Sequence, residues 1–183
     1  MILPIRAIGD PVLKRKGEDL KKGHAGLDKL IDNMFETMYN AQGVGLAAPQ
    51  IGESLRLFVV DTGKPTEDDG AERVKEVFIN PEIIDFVGNE EPFEEGCLSI
   101  PNIREEIYRP EGVSVRYFNE HFEEKKMVLN GLLARVFQHE FDHLEGILFT
   151  DLVSPLKRRM LKSKLDKIAR GKVKSAYPMK FVR

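Results

Sequence analysis

Two of the four histidines in this 183-residue chain lie four positions apart, in Gln138-His139-Glu140-Phe141-Asp142-His143. On a helix that spacing points both imidazoles from one face about one turn apart, where they can close on a single metal ion. Glu140 then lies roughly 100° around the helix from His139, given 3.6 residues per turn. A carboxylate so placed can reach a water on the ion without ligating the ion, accept its proton and deliver it to a leaving group. Taken alone, the same stretch also reads as a charged helix whose histidines cap it or meet solvent. Residues elsewhere must decide.

A third ligand is available in Glu94-Glu95-Gly96-Cys97-Leu98-Ser99-Ile100-Pro101, which holds the only cysteine. By itself a lone cysteine reads as a small buried apolar residue. With His139 and His143, Cys97 could supply a thiolate. Three protein ligands leave the fourth position of a tetrahedral ion to water, the pattern of a catalytic site. One cysteine permits neither a closed four-thiolate site nor an internal disulfide. A third stretch, Gly43-Val44-Gly45-Leu46-Ala47-Ala48-Pro49-Gln50, has glycines and small alanines that let a backbone approach a ligand or a strand closely. Standing alone, it reads more simply as a glycine turn and a buried strand of small residues.

These groups need elements to hold them. Leu27, Leu30, Ile31, Met34, Phe35 and Met38 recur at helical steps, which predicts an amphipathic helix ending before Gly43 with those six in the core. Gly9-Asp10-Pro11-Val12 reads as a turn into a short helix, Leu55–Asp61 as a strand, and Thr62–Arg73 as an exposed loop. Val74–Phe86 is strand material interrupted at Asn80-Pro81. Ile103–Tyr108, Gly112–Phe118 and Lys125–Leu129 read as successive antiparallel strands, with a turn at Asn119-Glu120-His121 that leaves His121 in solvent. Asn130 is a candidate cap for the histidine helix and Gly146 a stop. Leu132, Val136, His139 and His143 then share one side, and Phe137, Phe141 and Leu144 the other. An aliphatic wall beside a metal suits a hydrophobic side chain. Arg135 is expected at the rim of that wall, meeting solvent or a peptide. Asp142 is expected to orient a ligand from behind.

A last helix is predicted from Ser154-Pro155 to Gly171, with serine as cap. Leu156, Met160, Leu161, Leu165 and Ile168 are its expected packing stripe. From Pro155 onward, eleven Lys or Arg face the single acid Asp166, a balance of +10, which leaves −12 to residues 1–154 in a chain of net charge −2. A basic tail on an acidic body fits either a solvated face or a polyanionic partner. The length suggests one domain over 1–183. No apolar run approaches the ~20 residues of a membrane span, and the apolar block at the start is too short for a signal peptide. The cytoplasm is the expected compartment.

The three stretches, Gly43–Gln50, Glu95–Ser99 and Gln138–His143, resemble in order and spacing the three signature motifs of peptide deformylase. The likeness runs over nearly the whole chain, including the Ser154-Pro155-Leu156-Lys157 opening of the last helix. It implies an α+β fold, with antiparallel sheets around a central metal-binding helix and a helix towards each end. It implies removal of the N-formyl group from the initiator methionine of nascent polypeptides, releasing formate. By the same resemblance Cys97, His139 and His143 bind one divalent ion, Fe2+ in the cell with Zn2+, Ni2+ or Co2+ accommodated. Glu140 is then the general acid and base, and Gln50 and the N–H of Leu98 surround the formyl oxygen. Val44, Gly45 and Gly96 pair with an extended peptide, and Val44, Leu132 and Val136 line the methionine pocket. The basic last helix is similar to the one with which a branch of the family docks on the ribosome. Two other functions draw on the same residues. A zinc peptidase would use the same helix but takes its third ligand downstream, where no histidine follows His143. An RNA-binding module built on the basic tail would leave Cys97, the histidines and Glu140 without a task.

Overall fold

A computed structural model of the chain describes residues 1–63 and 74–182. Most of the predicted loop Thr62–Arg73 therefore lies outside the described residues. After β1 (Ile5–Arg6) and a short 3-10 turn over Pro11–Lys14, helix α1 spans Leu27–Asn40. Its apolar positions do what their spacing requires: Leu27, Ile31, Met34, Phe35 and Met38 are buried, with Leu30 partly buried against them. β2 (Gly45–Ala47) and β3 (Leu57–Asp61) follow, then two long strands, β4 (Lys75–Cys97) and β5 (Ile100–Phe118), and β6 (Glu124–Asn130). Helix α2 covers Gly131–Leu144, helix α3 covers Pro155–Ala169, and β7 is Met179–Lys180.

Strands β2 to β6 form one antiparallel sheet in sequence order, with β2 on its edge. β1 and β7 form a separate parallel ribbon, which no hydrophobic pattern announces. The architecture is the expected α+β fold. The strands expected over 103–108 and 112–118 are one continuous β5, because Arg109 and Pro110 stay paired with β4 through Glu91 and Glu90 and the ladder resumes, after a register shift, at Gly112 opposite Val87. β4 does break its register between Ile79 and Glu82, around Asn80-Pro81. There Asn80 adopts φ +48° and its side chain bonds both backbone groups of Leu20 at 2.8 Å. A proline that cannot donate to the ladder thus sits in a bulge.

Helix α2 lies across the sheet by its aromatic back. Phe137 is fully buried, with its ring edge-on to Phe58 and Phe78 at 5.3 and 5.1 Å. Burying such a side chain stabilises by roughly 1.5–3 kcal/mol, and the ring geometry adds about 0.5–1.5. This fixes the rotation of the helix, and hence the direction of the opposite face. Asn130 stands at the N-cap, though its side chain makes no capping bond. The helix ends as predicted: Gly146 takes φ +73°, and its N–H and that of Ile147 return to the carbonyls of His143 and Asp142.

Helix α3 stops two residues short of Gly171, and Ser154 caps it by accepting from the N–H of Lys157 at 3.3 Å. Its packing stripe is narrower than its spacing suggested. Leu161 and Ile168 are buried and Leu165 packs beside them, but Leu156 and Met160 are about 70 % exposed (69 % and 72 %). The helix leans on the body by its second half, so its first turns turn those two side chains outward. Among the described residues no helix is long and apolar enough to cross a membrane.

Candidate active site

Cys97 ends β4 and Ile100 opens β5, facing each other across a two-residue turn made by Leu98 and Ser99. The tight hairpin carries the thiol at a fixed strand end, aimed at the face of α2 opposite Phe137. There one ligand atom each from Cys97, His139 and His143 lie within 4.8 Å of one another. Sγ of Cys97 is 3.3 Å from Nε2 of His143. The three residues predicted to ligate are brought together.

The electrostatics of the cluster favour a cation. Burial opposes a charge on His139, yet its hydrogen bonds to Cys97 and Glu95 outweigh burial and raise it well above its ordinary value. Burial, then the charge of His139, push His143 well below its ordinary value, which keeps it neutral and able to ligate. Glu140 is buried, its Oε2 meets no hydrogen-bond partner among the described residues, and burial pushes its carboxyl up to about 7. A thiol, two imidazoles and an unpaired buried carboxylate around one point make a donor set for a divalent ion.

Behind His139 stands a group whose importance the sequence did not disclose. Glu95 precedes Cys97 by two positions on β4, so both side chains leave the same face of the strand. Its Oε2 accepts from Nδ1 of His139 at 3.0 Å. Nε and Nη2 of Arg109 grip the same carboxylate at 2.7 and 3.1 Å, and Nη1 of Arg109 reaches Asp142 at 2.7 Å. Burial alone would raise the Glu95 carboxyl, but these bonds from His139 and Arg109 hold it at about 2. An ionised carboxylate only accepts, so Nδ1 of His139 keeps its proton, and Nε2 is the nitrogen that would give up its proton to ligate an ion. Asp142 therefore acts at two removes, through Arg109 and Glu95. The i, i+2 pairing of Glu95 with Cys97 was the available signal.

Arg135 is not at the rim. It is 8 % exposed, and Nη1 and Nη2 donate to the carbonyls of Ile107 and Glu91 at 3.1 and 2.7 Å, with a longer 3.4 Å contact to Glu95. An aliphatic stem and a satisfied guanidinium let it line the site from inside.

A cavity of about 540 Å³ opens onto the cluster, lined among others by Val44, Leu132 and Val136 and by Gly45, Gly96 and Leu98. The proposed aliphatic wall is thus present. Gln50 enters from the far side: its Oε1 accepts the N–H of Ala47 at 2.8 Å, which turns Nε2 towards Cys97 and Ser99 at 3.5 and 3.3 Å. Gly45 and Gly96 are strand residues beside the cavity, and the carbonyl of Val44 is already taken by the N–H of Asp61. Ser175, Ala176 and Tyr177 also line the cavity, which no reading of the sequence anticipated. Burial, then the charge of Cys97, hold the Tyr177 hydroxyl up to about 12.

Residues 2–159 match the family model described as polypeptide deformylase. The chain belongs to the peptide deformylase family. A peptide deformylase of Christiangramia forsetii is 50% identical over 99% of this chain and 96% of its own length. One of Pseudothermotoga lettingae is 46% identical over 97% and 98%. Among solved structures, a peptide deformylase from Ehrlichia chaffeensis superposes with a TM-score of 0.85 at 35% identity, covering 94% of this chain and 99% of its own. One from Legionella pneumophila gives 0.81 at 42%, covering 94% and 98%. The deformylase chemistry implied by the three motifs is borne out: this is a metal-dependent hydrolase that takes the N-formyl group from nascent polypeptides.

Proposed function

We propose that Cys97, His139 and His143 hold one divalent ion, Fe2+ in the cell with Zn2+, Ni2+ or Co2+ able to replace it, and that Glu140 carries the protons of the reaction. When bound, the ion supplies Lewis acidity and brings the pKa of a water towards ~7. Glu140, itself near 7, takes up a proton at neutral pH and returns it to the departing amine. Attack on the formyl carbon leaves an oxyanion. Nε2 of Gln50 and the N–H of Leu98 donate to it, each worth roughly 3 kcal/mol by analogy with other oxyanion holes.

The rest of the peptide lies extended along the open edge of β2, pairing with the N–H of Val44 and with Gly45 and Gly96. Its methionine side chain rests on Val44, Leu132 and Val136. Discrimination against acetyl rests on size, since a formyl carbon carries only hydrogen where acetyl carries a methyl group. We place the enzyme in the cytoplasm as one working unit over 1–183. Its α3 touches the ribosome: Arg159, Lys162 and Lys167 of the helix gather with Arg170 and Lys172 just past its end, and Leu156 and Met160 are exposed on its first turns.

The convergence of three ligand atoms within 4.8 Å beside an unpaired carboxylate carries this reading. Anaerobic purification with metal analysis should find about one Fe2+ per chain. Formate should be released from N-formyl-methionyl peptides and no comparable amount of acetate from N-acetyl ones; comparable turnover of both defeats the size argument. Replacing Arg159, Lys162, Lys167 and Arg170 by Glu should abolish a salt-sensitive association with ribosomes. Undiminished binding removes that partner.

A further inference from the structure

Both carbonyls of the turn that follows Cys97 are tied from outside the sheet. The N–H of Ile8 donates to the carbonyl of Ser99 at 2.9 Å, and the hydroxyl of Tyr177 donates to the carbonyl of Leu98 at 2.8 Å. The two donors come from far-separated parts of the chain that are joined to each other. In the parallel ribbon Ile5 faces Met179 and Arg6 faces Lys180, with the N–H groups of Ile5 and Ala7 donating to the carbonyls of Pro178 and Lys180 at 2.9 and 3.0 Å. The approach to Tyr177 is fixed as well. Asn102 holds the carbonyl of Lys174 at 3.1 Å, and the Ser175 hydroxyl donates to the carbonyl of Tyr177 at 2.9 Å. Tyr177 is half-buried, packs in the same cluster as Leu98 and forms part of the cavity wall. It lies beyond the residues that match the family model.

We propose that Tyr177 is a positioning residue for hydrolysis: by holding the Leu98 carbonyl it keeps the turn from rocking, and so keeps the Leu98 N–H aimed at the reacting oxygen. The proposal rests on the donor role given to Leu98 above. Oxyanion donors accelerate a reaction because they are already in place when charge develops. A two-residue turn anchored only at its strand ends can tilt its peptide planes. Anchoring each of its carbonyls removes that freedom, and Tyr177 is the anchor on the Leu98 side.

The test is Tyr177→Phe in the full-length, Zn2+-loaded protein, whose diamagnetic ion leaves neighbouring amides observable; the change keeps the ring and loses the hydroxyl. Loosening a donor costs less than deleting one, so kcat should fall about tenfold with KM within about twofold, since the ground-state amide needs the donor less than the oxyanion does. The melting temperature should fall by no more than a few degrees, the cost of one hydrogen bond. NMR order parameters of the Leu98 and Ser99 amides should fall without substrate present, and this measures the tether directly. A kcat within twofold of the unsubstituted protein, or unchanged order parameters, overturns the proposal. So does a loss of kcat that comes with a larger fall in melting temperature and a matching rise in KM, the mark of a merely structural role. Absence of formate release from the unsubstituted protein would instead overturn the donor reading, a result separate from the order parameters.

Discussion

Gly45 and Glu140 are in such close contact that a β-carbon on Gly45 would stand 2.6 Å from Oε1 and 2.9 Å from Cδ of the carboxylate. The edge strand of the sheet is therefore shaped to the Glu140 carboxylate of α2. The φ of this glycine is not in the left-handed region, so its need is for space and not for backbone freedom. Gly45→Ala should displace the carboxylate and lower kcat more than tenfold, with an overpacking cost of about 1–3 kcal/mol. Formate-release kinetics with thermal unfolding check both, and a fully active Ala variant would show that the contact relaxes freely.

Burial of Glu140 has a pH signature in protein stripped of metal. Its folded value, about 7, lies above the ordinary 4.5, so folding favours the protonated form. The associated stability is fully present below about 4.5 and is lost as pH rises through 7. Glu140→Gln should therefore be the more stable protein at pH 8, by about 3 kcal/mol at most, with the difference closing by pH 4–5. Urea unfolding across that range measures it. The same variant, reloaded with metal, should be nearly inactive.

Glu95 should behave in the opposite sense. Its folded value, about 2, lies below 4.5, so its contribution of about 3 kcal/mol is present above 4.5 and lost as pH falls through 2. Glu95→Gln should be less stable than the parent at pH 7 and close to it at pH 2. It should also bind metal about 10–100-fold more weakly, because the proton of His139 loses its fixed acceptor. Chelator competition reads the affinity.

Arg109 joins Glu95 to Asp142 while almost fully buried. Arg109→Leu leaves two carboxylates facing apolar surroundings and should cost about 3–5 kcal/mol. Asp142→Asn, which removes only the outer partner, should cost less. A ranking with Asp142→Asn as the more damaging change would break the chain of contacts drawn from Asp142 to His139.

The parts of this site that could be read from the sequence are those whose spacing is local. His139 and His143 share a helix face by their separation of four, and Leu132 and Val136 follow from the same period. Val44, Gln50 and Leu98 came from motif likeness, and the cavity brings them together. The charge of Arg135 points to solvent, whereas three backbone and carboxylate acceptors on β4 and β5 satisfy it inside. Leu156 and Met160 fitted the stripe of α3 by period alone, but period does not say how much of a helix touches the body. Tyr177 was invisible because its partner lies 79 positions away and the ribbon that delivers it is two residues wide.

That ribbon also dates the completion of the fold during synthesis. Among the described residues, β1 precedes the five-stranded sheet and α1, α2 and α3, and its partner β7 follows them. Until those late residues arrive, the hairpin tip beside the thiol lacks one of its two struts. An enzyme whose task is the newborn end of other chains thus gains the full support of its own cysteine hairpin only after β7 is made.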